Sequence, residues 1–307
     1  MSKTAFIFPG QGSQYIGMGK DLYENFTVAR EVFEEASDSI GLDLKKMSFE
    51  GPEDLLNMTA NTQPAILTAS MAALEVLRSE RGLVADFLAG HSLGEYSALV
   101  HSGVFSFADA VKIVRKRGEL MQEAVPAGTG AMAAILGMEK EDVAQICNEA
   151  SAVDMVSPAN FNSPGQIVVA GTKKGVETAV DLAKEKGAKR AILLPVSVPS
   201  HCRLMDGAGE ALRGDLEMLS MGDISIPVVS NVEAKPYPAK EEVVNILVRQ
   251  LSSPVKWDDS ILCLKDLGIE SVIEVGPGKV LSGLVKRIDR AINILNIEDS
   301  ASLKKIQ

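Results

Sequence analysis

The order of its local patterns makes this chain an α/β protein: a large domain with a mostly parallel sheet, interrupted by a smaller β-α-β-β-α-β unit. Three observations carry that reading. Short apolar runs closed by glycine alternate with stretches of helical periodicity. The middle of the chain changes texture, with two strands joined by a tight turn and set between two helices. Prolines mark both edges of that middle segment, Pro126-Ala127-Gly128 before it and Pro195 to Pro199 after it. With 307 residues, 46% hydrophobic and 23% charged, the chain is long enough and apolar enough to bury a sizeable core.

Thr4 to Phe8 reads as a buried strand running through Pro9 into the tight loop Gly10-Gln11-Gly12-Ser13-Gln14. Helical periodicity covers about Lys20 to Ile40 and about Pro64 to Arg78. Val84 to Ala89 is a second apolar run, closed by Gly90, and helices are expected over Gly94 to His101 and Phe107 to Ala124. In the middle segment the expected strands are Ala131 to Leu136, Met155 to Asn160, Gln166 to Ala170 and Ala191 to Val196, with helices over Lys140 to Ala150 and Lys174 to Lys186. Asn162-Ser163-Pro164-Gly165 supplies the turn between the two central strands. This order is ferredoxin-like. It places the small domain at 126–198 and the large one at 1–125 and 199–307. Helices then cover about Cys202 to Leu219, Glu241 to Leu251 and Trp257 to Leu267. Ser271 to Val275 is a late strand ending in Gly276-Pro277-Gly278, and a last helix spans Val280 to about Arg290.

Charge and cysteine content exclude several functions. A net charge of -10 opposes nucleic acid and anionic membranes as partners. Aromatic residues are only 5% of the chain, too few for a base-stacking platform. Cys147, Cys202 and Cys263 have no CxxC spacing and read as reduced thiols, neither a disulfide frame nor a zinc site. No metal or other cofactor is expected. No uncharged apolar run approaches the roughly 18 residues of a membrane span, and the first residues lack an apolar signal core. A cytoplasmic protein is expected.

The chemistry centres on Gly90-His91-Ser92-Leu93-Gly94, a GxSxG pentapeptide between an apolar strand and a helix. That is the setting of a nucleophile elbow, and it makes the large domain α/β-hydrolase-like. The glycines permit a sharp turn with close backbone neighbours, and the helix N-terminus favours a developing oxyanion. The plain alternative is a serine that merely caps a helix. A serine hydroxyl needs a base, and the chain has three histidines. His91 is adjacent to Ser92 on a strained turn and diverges from it. His101 lies more than two helical turns away. His201 remains, where the second unit returns to the first, although it also reads as a helix-start residue. No carboxylate stands out to orient the imidazole; a carbonyl serves as well, because neutral histidine needs one acceptor to fix its tautomer.

Arg117 is the other outlier. Ala110, Ile113, Val114, Leu120, Met121 and Ala124 form an apolar stripe along the helix 107–124, and Arg117 falls inside it. A buried guanidinium needs an anion. Two partners fit: an internal Glu or Asp, or a substrate carboxylate gripped bidentately.

Six segments then resemble one family. They are Phe8-Pro9-Gly10-Gln11-Gly12-Ser13-Gln14, Thr62-Gln63-Pro64-Ala65, Gly90-His91-Ser92-Leu93-Gly94-Glu95-Tyr96, Asn160-Phe161-Asn162-Ser163-Pro164-Gly165-Gln166, Val198-Pro199-Ser200-His201 and Glu274-Val275-Gly276-Pro277-Gly278. In family order and across nearly the whole chain, they resemble the malonyl-CoA:acyl carrier protein transacylases of bacterial fatty acid synthesis. The resemblance implies ping-pong transfer from malonyl-CoA to the phosphopantetheine thiol of acyl carrier protein through a malonyl ester on Ser92, with His201 as base and acid. It implies that the backbone N–H groups of Gln11 and Leu93 form the oxyanion hole and that Arg117 pairs with the malonyl carboxylate. It makes Gln250 the residue whose carbonyl orients His201; alone, Gln250 reads as a polar helix end. Asn160 and Asn162 match a loop lining the cleft, and Gln63 and Gln166, in matching segments, are expected at the substrate. Acyl carrier protein is acidic, so the local basic clusters Lys189-Arg190 and Lys286-Arg287-Arg290 are the expected docking surface, although such clusters also occur as solvated faces.

Rival readings differ in product. A hydrolase built on the same pentapeptide usually carries its histidine late in the chain, and it would release free malonate. A carrier-binding scaffold would form no acyl adduct. A near relative would prefer another carboxylated acyl-CoA.

Overall fold

The computed structural model describes residues 3–126, 128–196 and 198–306. Ala127 and Ser197, within the two proline-marked edges, lie outside the described residues. The chain begins with β1 (Lys3–Phe8), followed by α1 (Lys20–Asn25), α2 (Thr27–Ile40), α3 (Leu44–Glu50), α4 (Glu53–Leu56) and α5 (Thr59–Arg81). Then come β2 (Phe87–Gly90), α6 (Gly94–His101) and α7 (Phe107–Ala124). The middle segment forms β3 (Gly130–Leu136), α8 (Lys140–Ala150), β4 (Val156–Ser163), β5 (Gln166–Thr172), α9 (Lys173–Glu185) and β6 (Arg190–Leu193). The remainder is α10 (Asp206–Glu217), β7 (Val228–Val229), α11 (Val243–Ser252), β8 (Val255–Lys256), α12 (Trp257–Asp266), β9 (Ile269–Val275), α13 (Val280–Ile288), β10 (Asn293–Ile297) and α14 (Ser300–Leu303).

The first sheet has the order β10-β9-β1-β2-β7, and every pair in it is parallel. Its centre, β1, buries Ala5, Phe6, Ile7 and Phe8 completely. Phe6 and Phe8 join the core beneath α2, α5, α6 and α7. Ala5 and Ile7 join Trp257, Ile261 and Leu281 on the opposite face. A parallel strand covered on both faces has no polar side to show, which is why its sequence is a continuous apolar run.

The second sheet has the order β6-β3-β5-β4-β8. Its first four strands are antiparallel, with α8 and α9 covering the face that carries Ile135, Ile167, Val169 and Ala191. The other face presents Met132, Ala134, Val168 and Ala170. The fifth strand, β8, comes from far downstream and pairs parallel to β4 through Asn160↔Val255 and Phe161↔Lys256. Both sheets of the expected α/β architecture are therefore present, and β8, which lies in sequence between β7 and β9 of the first sheet, ties the second to it.

Several elements differ from the sequence expectation. The stretch 20–40 is two helices, broken where Phe26 is extended. α5 begins at Thr59, five residues before Pro64. The carbonyl of Ala60, which Pro64 cannot bond, accepts instead from Arg115 Nη1 at 3.3 Å. The strand expected from Val84 starts only at Phe87; Val84 is exposed, and Asp86 turns its carboxylate onto the Thr4 N–H. β4 runs on to Ser163, so the turn shrinks to Pro164-Gly165, and Asn160 and Asn162 sit on a strand and not on a loop. The last strand of the middle segment and the helix 280–290 stop early, at Leu193 and Ile288. Among the described residues, no helix is long and apolar enough to cross a membrane.

Candidate active site

β2 delivers the elbow. Ser92 has φ of 51°, in the left-handed region where a side chain is strained, and α6 begins two residues later. The turn is made possible by three glycines that leave no room for a Cβ. One on Gly90 would stand 1.9 Å from the Gly94 carbonyl carbon, one on Gly94 2.0 Å from the Phe8 oxygen, and one on Gly10 2.2 Å from the His91 oxygen. The loop after β1 and the elbow after β2 are thus packed backbone to backbone. Ser92 donates its N–H to Asn231 Oδ1 at 2.6 Å. Among the described residues, the N–H groups of Gln11 and Leu93 bond to no protein acceptor, and both residues line the cavity in front of Ser92.

His201 meets the serine from the other side. Its Nε2 lies 2.8 Å from Ser92 Oγ, and its Nδ1 lies 2.8 Å from the carbonyl oxygen of Gln250. Its own N–H donates to the Leu251 carbonyl at 2.9 Å, so the end of α11 grips both the backbone and the ring. His201 also has a left-handed backbone, φ of 63°. Burial, and next the Arg117 charge, push its pKa down from 6.5 to about 3. The ring is neutral at pH 7. With Nδ1–H donating to Gln250, the Nε2 lone pair is the one that faces the serine hydroxyl. The other histidines stand aside, as expected. His91 bonds Asn162 through Nε2 at 2.8 Å and packs on Trp257, and His101 stacks on Phe6 at 5.8 Å.

Arg117 is 1% exposed on α7. Its Nη1 donates to Gln63 Oε1 at 2.8 Å, and its Nη2 donates to Gln250 Oε1 at 3.0 Å and to Ser92 Oγ at 3.2 Å. The guanidinium also lies 5.5 Å from the Tyr96 ring. Every one of these partners is neutral. The buried carboxylate nearby, Glu95 of α6, accepts instead from Tyr237 Oη, from Gln250 Nε2 at 2.7 Å and from the Asn231 N–H at 3.1 Å. Burial raises the Glu95 pKa to about 7, against the lowering effect of those donors and of the Arg117 charge. The arrangement leaves a cationic group beside the nucleophile without a contacting anion, at the end of an enclosed space.

That space is a cavity of about 210 Å³ between the elbow and the face of the second sheet that carries Met132 and Val168. Asn160, Asn162 and Gln166 line it from the sheet, with Met132 and Val168. Gln63 and Gln250 do not face it. Each is fully buried behind the wall, and both hold Arg117. Of the basic clusters, Arg190 and Arg287 are linked to the lining residue Gln166. Arg190, Leu136 and Gln166 form one cross-strand row, and the Arg287 guanidinium reaches the Gln166 side chain. Lys189, Lys286 and Arg290 are exposed nearby in sequence.

Three participants escaped the sequence reading: Glu95, Tyr237 and Asn231. Glu95 stands in the first turn of a helix, where an acid is ordinarily explained by the helix dipole. Asn231 and Tyr237 fall in a polar stretch, Ser230 to Pro238, that reads as a loop. Only the tertiary fold turns them inward.

Known proteins resemble this chain along nearly its whole length. The acyl transferase domain family matches residues 5–304. The malonyl CoA-acyl carrier protein transacylase of Bacillus subtilis (strain 168) is 51% identical over 305 residues, covering 99% of this chain and 96% of that protein. Among solved structures, an acyl carrier protein S-malonyltransferase from Vibrio cholerae superposes with a TM-score of 0.97 at 50% identity, covering 100% of both chains. A malonyl-transacylase solved in complex with its type II PKS acyl-carrier protein gives a TM-score of 0.97 at 48% identity, over 99% of this chain and 98% of that one.

The neutral, buried His201 has a consequence for stability. Its folded pKa of about 3 lies below the ordinary 6.5, so the unfolded chain binds the proton first, and the contribution is lost as pH falls from 6.5 toward 3. Glu95, raised to about 7 from 4.5, acts in the opposite sense over 7 to 4.5. A His201→Gln variant isolates the first effect, since it leaves Glu95 in place. Denaturant titrations are expected to show wild type losing about 1 kcal/mol more than the variant between about pH 7 and about pH 5.5. Equal losses would mean that His201 takes up its proton over the same pH range in the fold as in the unfolded chain.

Proposed function

The chain belongs to the acyl transferase family, among the malonyl CoA-acyl carrier protein transacylases, and from that premise we propose how its own residues carry out the transfer. The reaction moves malonyl from coenzyme A to the phosphopantetheine thiol of acyl carrier protein for fatty acid synthesis. Ser92 Oγ attacks the thioester carbonyl carbon as His201 Nε2 takes its proton. The N–H groups of Gln11 and Leu93 receive the oxyanion. Collapse breaks the C–S bond, and His201 returns the proton to the departing coenzyme A thiolate. Malonyl remains as an ester on Ser92. The carrier thiol then gives its proton to His201 and attacks the ester, and the proton returns to Ser92 Oγ as malonyl leaves on sulfur. The carbonyl of Gln250 accepts from Nδ1–H throughout and stabilises the transient imidazolium without taking its proton.

The observation that carries the choice of acyl group is Arg117. It is a buried cation with neutral partners only, and its Nη2 is 3.2 Å from the nucleophile. A three-carbon acyl group ending in a carboxylate spans the distance from Ser92 to that guanidinium and supplies the missing anion. It also changes the base. The Arg117 charge is one of the causes that hold the His201 pKa down, and a bound carboxylate cancels that charge. Malonyl thereby raises the proton affinity of the group that must take the serine proton; acetyl does not. Asn160, Asn162 and Gln166 close the acyl space from the second sheet, whose proposed domain limits are 126–198. Gln63 acts from behind, as a support for Arg117.

Acyl carrier protein docks, on this reading, at the rim formed by Lys189, Arg190, Lys286 and Arg287. The row that joins Arg190 to Gln166, and Arg287 to the same glutamine, supports one continuous basic edge beside the cavity mouth. An acidic carrier meets cations there on an otherwise acidic protein. The cytoplasm is the proposed location.

Three measurements test this. Intact mass after mixing with malonyl-CoA is expected to show one malonyl adduct, absent in Ser92→Ala; an adduct that persists in the variant sinks the acyl-serine step. Arg117→Ala is expected to lose about ten- to a hundredfold more activity on malonyl-CoA than on acetyl-CoA, because a charge-assisted bond is removed for one substrate only. An equal loss on both contradicts the pairing. Reversing the charges at Lys286 and Arg287 is expected to raise KM for carrier protein and leave KM for malonyl-CoA unchanged; unchanged KM for the carrier rules that surface out.

A further inference from the structure

β7 pairs with β2 through Leu88↔Val228 and Ala89↔Val229, and there the main-chain ladder stops. Carried forward, the register would set Asn231 opposite His91. The Asn231 backbone has already turned away: its N–H goes to Glu95 Oε2 at 3.1 Å, and its carbonyl accepts from Lys256 of β8 at 3.0 Å. The side chain stays. Its Oδ1 accepts the Ser92 N–H at 2.6 Å, and its Nδ2 donates to the Gly90 carbonyl at 2.6 Å. In a parallel ladder, a residue opposite position i donates to the carbonyl of i−1 and accepts from the N–H of i+1. With His91 as i, the Asn231 carboxamide makes that same pair of bonds. It is a side-chain peptide standing in for the next residue of β7.

We propose that Asn231 is the positioning residue of the nucleophile, a surrogate strand residue that holds the elbow in register. It acts through Ser92 and touches no substrate. A real strand residue would need β7 to continue alongside the elbow, where the chain is turning out of the sheet. An amide on a side chain supplies the same two bonds without prolonging the strand, so β2 ends under control and Ser92 enters the left-handed region at φ of 51°. The bond also occupies the Ser92 N–H, which leaves the neighbouring N–H of Leu93 as the elbow's contribution to an oxyanion. Asn231 is itself completely buried, with all four of its polar groups bonded. Its N–H is anchored on Glu95, the carboxylate that also holds Gln250, so the nucleophile's support and the base's support share one anchor.

The inference rests on the Ser92 acylation proposed above, and single-turnover malonylation followed by intact mass separates the two. Wild type that never acylates overturns the Ser92 reading itself. With wild type active, Asn231→Ala is expected to acylate about ten- to a hundredfold more slowly at saturating malonyl-CoA, with KM little changed. Asn231→Asp supplies the second arm. A protonated carboxyl offers the same acceptor and donor as the amide, whereas an ionised one sets an oxygen against the Gly90 carbonyl. The groups facing this position are Glu95 of α6, Tyr237 bonded to Glu95, His91 on the elbow and Lys256 of β8. Wild type carries them all, so the ratio of variant to wild-type rate removes their titration. That ratio is expected to rise as pH falls. A wild-type rate in a folded Asn231→Ala, or a ratio for Asn231→Asp that does not change with pH, overturns the proposal.

Discussion

Gln250 bonds to three of the components that have to be aligned in this site. Its carbonyl holds the His201 ring, its Oε1 holds the Arg117 guanidinium, and its Nε2 reaches both the Ser92 carbonyl at 3.0 Å and Glu95. The residue lies at the end of α11, fully buried, with Leu251 beside it fixing the His201 backbone. Nucleophile, cation and base arrive from the end of β2, α7 and the segment after β6, which are far apart in sequence. One carboxamide and its own peptide carbonyl set their mutual distances. A general base and its nucleophile must stand within hydrogen-bond reach before any chemistry begins. Here that reach is inherited from a single helix end.

The electrostatics follow from burial around that residue. Arg117, Glu95 and His201 are nearly devoid of solvent contact. Isolated, each ionised group would be costly there. The histidine responds by staying neutral, which suits a proton acceptor. The arginine cannot lose its proton and is held by neutral oxygens, which satisfy its donors without cancelling its charge. Glu95 lies between these cases, with a pKa near 7 and three donors on its oxygens. The net result is an uncompensated cation aimed at the serine, maintained at a distance from the nearest acid. A direct Arg117–Glu95 ion pair would be more stable in isolation and would bind an anion less well.

Much of this was legible in the sequence, and the limits have physical causes. Gly90, Ser92 and Gly94 identify the elbow because only glycine tolerates those approaches. α7 spans the expected Phe107–Ala124 because its apolar stripe is regular, and in the structure Ser106 caps its first turn; Arg117 stands out against that stripe. His201 was reached by elimination among three histidines. What could not be read was pairing across long separations. β7 and β8 have two residues each, too short for any periodicity, and exist only because a neighbouring strand is waiting. The start of α5 was hidden because Pro64 looks like a first-turn residue until Arg115 supplies the Ala60 carbonyl with a donor. Asn231 and Glu95 are ordinary polar residues in ordinary local settings, and their roles are set by what the tertiary fold brings against them.

The order of strands in the first sheet bears on how the molecule is made. β1 is made before both of its neighbours, yet it lies between them, with β2 on one side and β9 on the other. β4 likewise waits for β8 to cover its outer edge. During synthesis β1, whose residues Ala5 to Phe8 end fully buried, therefore keeps one edge unpaired until Ile269–Val275 has been translated. Closure of both sheets, and with it the cleft, waits for β8 and β9.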